Sequence, residues 1–137
     1  MLRVQIVLLL LAAVISIAFG LRYLFAHQFM PYHAVVAGKA WSEVDAGVRI
    51  VILGMQRILS GGFIAYGVAL MWLLVPLGRN APWAAWAVLT ITVPATFPAL
   101  YVTIALRRFA TSARTPIVPA AVVVALALIG AGLSLVT

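Results

Sequence analysis

The side chains able to do chemistry are crowded into one stretch, from His27 to Arg57. It holds both histidines, His27 and His33, and both acids, Glu43 and Asp45. It also holds the single Lys39, together with Arg49, Arg57, Tyr32 and Trp41. Two imidazoles and a carboxylate could ligate a metal ion, and two imidazoles could serve as axial haem ligands. The spacing argues against both. A haem held in a helix bundle takes its ligands from facing helices, whereas these histidines share one connector, six residues apart across Pro31. That is not a standard zinc spacing. A metal- or haem-dependent membrane enzyme using His27 and His33 is therefore kept as a second alternative only. No catalytic residue, metal or cofactor is assigned from the sequence.

The charged members of the stretch have simpler uses. Glu43 and Asp45 stand two apart, and such neighbours do not face each other on a helix, which weakens a paired-carboxylate reading. Ser42-Glu43-Val44-Asp45 reads instead as a helix start, with Ser42 as cap and the acids in a first turn of unpaired N–H groups. Asp45 and Arg49, four apart, are expected to pair, and Gln56 and Ser60 share a face in the same way. Arg57 reads as an interfacial arginine snorkelling to the headgroups. This leaves His27, Tyr32, His33 and Trp41 without an assigned use.

A second candidate lies in Thr92-Val93-Pro94-Ala95-Thr96-Phe97-Pro98. Each proline frees the carbonyl four residues back, so Pro94 and Pro98 predict a kink or local unwinding, with threonine hydroxyls satisfying some freed groups. Broken helices line transporter sites. Thr92, Pro94, Thr96 and Pro98 are thus the candidate lining of a small transporter or channel, the first alternative function. No acid or histidine lies within a predicted span to relay protons. There is no cysteine, and no catalytic triad order or phosphate-binding loop.

The elements that must position these residues are membrane helices. Of 137 residues, 66% are hydrophobic and 8% charged, against roughly 45–50% and about 25% in soluble domains. The apolar runs are continuous, whereas barrel strands would alternate. The fold class is therefore all-α: an integral membrane four-helix antiparallel bundle, one domain, with a polar connector between helices 1 and 2. The spans are expected at about 4–26, 58–77 (with a helical extension from about 43), 81–106 and 116–136. The first is read as a retained helix rather than a cleaved signal, because its apolar run exceeds the usual signal length. Pro31 stops it. Asn80 is expected to cap the third helix after the turn at 76–80. Small residues recur every four positions at Ala12, Ser16 and Gly20, and again at Gly61, Ala65 and Ala69. Helices 1 and 2 are expected to meet through these faces, and Ala127, Ala131 and the Gly130, Gly132 cluster allow close packing of helix 4.

The net charge of +7 would suit nucleic acid in a soluble protein. Here the basic residues sit singly or in pairs at the ends of apolar runs, which suits lipid headgroups and excludes a phosphate-tracking surface. With four spans, Arg3 and Arg79 share one side with the termini and the other seven basic residues lie opposite. The positive-inside rule then puts both termini outside the cytoplasm. The run Phe29-Met30-Pro31-Tyr32-His33, followed by Trp41 and by Gly61-Gly62, resembles small uncharacterised bacterial inner-membrane proteins with four spans. That resemblance implies a multi-pass protein of the bacterial plasma membrane and carries no activity. The leading expectation is a non-enzymatic accessory or assembly subunit. Its partners are the lipid bilayer and a membrane protein or second copy held through small-residue faces.

Overall fold

The structure, a computed structural model, describes residues 3–136. All regular structure among them is helical: α1 (Val4–Leu24), α2 (Pro31–Ala37), a 3₁₀ turn at Trp41–Glu43, α3 (Ala46–Gly78), α4 (Pro82–Phe109) and α5 (Ile117–Val136). The four longer helices, α1, α3, α4 and α5, are each long and apolar enough to cross a membrane. Large apolar side chains face outward on each of them, Leu11, Ile58, Tyr101 and Ile129 among them. This outward apolar surface is consistent with contact with a lipid bilayer.

Between lipid-facing helices there is no hydrophobic gain from association, so packing must come from close van der Waals contact. Glycine supplies it. A Cβ placed on Gly20 would lie 2.6 Å from Ile64 Cγ1 and 2.9 Å from the Ser60 carbonyl oxygen. One on Gly67 would lie 2.6 Å from Ile17 Cγ1 and 2.7 Å from the Ala13 carbonyl oxygen. Moving up α1 therefore means moving down α3. At Gly130 of α5, a Cβ would meet Leu9 Cγ at 2.8 Å. α1 is accordingly packed on both α3 and α5, while α4 leans mainly on α5 and more thinly on α3. The apolar core gathers at one end, where Leu9, Ala12, Leu70, Leu77, Ala84 and Val88 are all buried.

The expected faces were right for α1 and displaced for α3. Ala12, Ser16 and Gly20 are buried, but Gly20 meets Ser60 and Ile64, and Gly67 meets Ala13 and Ile17 of α1. Gly61 and Ala65 are exposed, because one residue of register turns a helix by 100°. Helix boundaries also shift. α1 ends at Leu24, and the connector contains the short α2, which begins on Pro31 as its N1 residue. Proline stops the first helix and starts the next, since its missing N–H is harmless in a first turn. Asn80 does not cap α4. It takes a left-handed φ of 57° in the turn, and its side-chain oxygen accepts a hydrogen bond from Arg3. Ala81 occupies the cap position.

Gly67→Ala and Gly20→Ala should each lower stability in detergent, by about 1–3 kcal/mol, because the added methyl overpacks a backbone contact. Gly61→Ala, facing open space, should leave it unchanged or raise it by about 0.5–1 kcal/mol through helix propensity. Denaturant unfolding followed by circular dichroism measures the difference.

Candidate functional site

The polar stretch is built from helix ends. Gly38 closes α2 in the left-handed region, with φ 63°. Glu43 Oε2 accepts from the Ala40 N–H at 2.8 Å, fixing the 3₁₀ turn. Asp45, not Ser42, is the N-cap of α3. Its Oδ1 accepts from the Gly47 N–H at 2.8 Å and the Val48 N–H at 3.4 Å. With Asp45 so engaged, Arg49 turns back instead of pairing with it. Its Nε donates to the Val44 carbonyl at 2.7 Å and its Nη2 to the Ser42 carbonyl at 3.3 Å. The guanidinium also stands 6.0 Å from the Trp41 ring centre, within cation–π reach. Arg57 is exposed.

Three of the four residues left unassigned by sequence come together. Phe29 is buried, with its ring centre 4.9 Å from Trp41 and 6.3 Å from His33, both edge-on. Tyr32 stacks edge-on to His33 at 4.2 Å, and its hydroxyl is hydrogen-bonded to that of Tyr23 on α1. Burial, then the bond to Tyr23, push the Tyr32 phenol up, so it stays protonated. Burial pulls His33 below the ordinary histidine value and favours neutral imidazole. His27 stands apart, exposed. Among the described residues, no three of His, Cys, Asp and Glu gather closely enough to hold a metal.

The threonine–proline segment does not break its helix. α4 runs unbroken through Pro94 and Pro98. The hydroxyls do not reach the carbonyls freed by proline. Thr90 donates to the Trp86 carbonyl and Thr96 to that of Thr92, each at 2.8 Å. Thr92 is fully buried and shares a 3.0 Å hydrogen bond with Tyr66 of α3. Pro94 is exposed, whereas Thr96 and Pro98 reach the cavity described next.

Past the Tyr66–Thr92 contact, α3 and α4 separate. The gap is a cavity of about 770 Å³, bounded by α1, α3, α4 and α5 and roofed by the connector. Phe19, Leu59, Phe63, Val102 and Val123 supply apolar wall, while Tyr32, His33, Lys39, Glu43 and Asp45 lie at the connector end. Sequence reasoning missed this space and its most telling residue, Gln56. That side chain lines the cavity and is 5% exposed, yet neither Nε2 nor Oε1 has a hydrogen-bond partner. Ser60, buried on the same face, does not serve it, because the Ser60 hydroxyl donates to the Arg57 carbonyl at 2.7 Å. A buried polar group left unpaired costs about 1–3 kcal/mol. The only sequence signal was a lone amide among apolar residues of α3. Against known proteins, no family model, curated protein or solved structure matches the chain.

His33 gives a pH prediction. Its folded value lies below the unfolded one, so above about pH 6.5 both states are neutral and nothing is lost. As pH falls below that, the unfolded state takes up the proton first and stability declines. Thermal unfolding in detergent at pH 7.5 and pH 5 should show this decline in wild type and a shallower one in His33→Gln.

Proposed function

We propose that the chain is a non-enzymatic accessory or assembly subunit of the bacterial plasma membrane. It crosses the bilayer four times as an antiparallel bundle and packs against another membrane protein or a second copy of itself. The observation that supports this reading is the division of labour among the glycines. Gly20, Gly67 and Gly130 are consumed by contacts within the chain. Gly54, Gly61 and Gly62 of α3 have no neighbour against which a Cβ would press. Gly54, Gly61 and exposed Ala65 fall on one outward side of α3. In lipid, glycine in a helix brings little contact of its own, and outward small residues suit the close approach of a partner helix.

The orientation in this reading follows from charge. The connector with Lys39, the adjoining start of α3 with Arg49 and Arg57, and the loop that carries Arg114 face the cytoplasm, and both termini lie outside it. Arg107 braces that second loop by donating to the Ala113 carbonyl at 2.7 Å.

Crosslinking in native membranes should trap a complex containing this chain. Gly61→Leu should reduce its yield several-fold while leaving the detergent melting midpoint of the isolated chain unchanged. Recovery of uncrosslinked monomer alone would sink the reading. The sequence has no cysteine, so a single Ser42→Cys reports topology directly. An impermeant maleimide should label it in inverted vesicles and not in intact cells; the opposite pattern would reverse the orientation.

A further inference from the structure

We propose that the cavity between α1, α3, α4 and α5 binds a long-chain amphipathic molecule whose neutral polar group, both a donor and an acceptor of hydrogen bonds, pairs with Gln56. This site stands on its own observations and does not depend on a partner covering the outer face of α3.

The chemistry of the ligand follows from what the walls lack. The three other buried Ser and Thr side chains in the wall already have partners. Ser16 donates to the Ala12 carbonyl, Thr96 to the Thr92 carbonyl and Thr103 to the Leu100 carbonyl, each at 2.8 Å. Gln56 is the exception: its side chain lines the cavity, its two amide atoms are covered and unpaired, and a ligand reaches them once that side chain turns toward the cavity. A carboxamide presents an N–H donor and a carbonyl acceptor together. Its complement is therefore a hydroxyl, a carboxamide or an undissociated carboxylic acid, rather than an ester or ketone, which only accepts. Tyr32, His33, Lys39, Glu43 and Asp45 line the connector end; below them the rest of the wall is mainly aliphatic and aromatic, and about 770 Å³ falls in the range of ligand pockets, roughly 300–1,000 Å³.

The depth of Gln56 fixes how such a molecule lies. Gly20 of α1 meets α3 at Ser60 and Ile64. Gln56 is one turn further along α3, level with the end of α1 at Leu24. A helix end with charged residues beyond it marks the boundary between acyl chains and headgroups. The polar group thus sits at that boundary. The chain runs inward past Phe19, Phe63 and Val123, between helices that do not close on one another there. Lipid-like amphiphiles have this profile: one neutral polar group at the boundary and a chain below it.

The test uses the full chain, purified in detergent and reconstituted in bilayer discs, with a photoactivatable hexadecanol as probe. Labelling should saturate and map to peptides around Leu59 and Phe63. Hexadecanamide should compete well, and hexadecane about tenfold less well, the difference one or two hydrogen bonds would make. Gln56→Leu should abolish that preference and retain or raise the melting midpoint, since it removes the unpaired amide. Should Gln56→Leu fail to fold, Gln56→Met carries the same comparison with a side chain of similar length. Equal competition by hexadecane in wild type overturns the proposal, as does a preference that survives replacement of Gln56, or labelling that does not saturate.

Discussion

The distance between α1 and α3 governs the rest of the structure. In a bilayer, two apolar helices gain little by hiding from solvent, so what holds them is the number of atoms brought into contact. Gly20 and Gly67 let backbone meet side chain with no room for another carbon. That contact sets the tilt of α3, and with it where α4 can touch. α4 reaches α3 at Tyr66–Thr92 and around Leu77, Ala84 and Val88, and α5 closes the other side against Leu9. The cavity is the space left over, and the polar connector covers it.

Charge plays a local part within that frame. Glu43 and Asp45 are spent on backbone N–H groups at the starts of the 3₁₀ turn and α3. Arg49 and Arg107 are spent on carbonyls near helix ends. This is the expected use of scarce charges in a chain whose helix termini must be satisfied where water thins out. The aromatic cluster of Phe29, Tyr32, His33 and Trp41 then packs the connector, with Tyr32 tied to α1 through Tyr23.

The four membrane-length helices were legible in the sequence because uninterrupted apolar runs leave no other economical structure in lipid. So were the packing faces of α1 and α5, where small residues repeat. The face of α3 was not, and the reason is physical. In water, a core-facing stripe differs in polarity from an exposed one. In lipid both are apolar, so Ser60 and Gly67 compete with the small residues at 61, 65 and 69 on nearly equal terms. Asp45 displaced Ser42 as the cap because both residue types cap well, and only the backbone path decides between them. Pro94 and Pro98 left α4 unbroken: each removes one N–H donor, and the helical bonds on either side carry α4 through. The cavity was illegible for a different reason. It is defined by helices diverging, and no residue type encodes divergence. Gln56 alone hinted at it.

The bundle is fastened unevenly. At the turn between α3 and α4, buried side chains interlock and Arg3 of α1 reaches across to Asn80. At the connector end, α3 and α4 stand apart. The spacing of α3 and α4 is thus pinned by side-chain contacts beside their turn, and at the far end it is bounded by the connector rather than by a contact between the two helices.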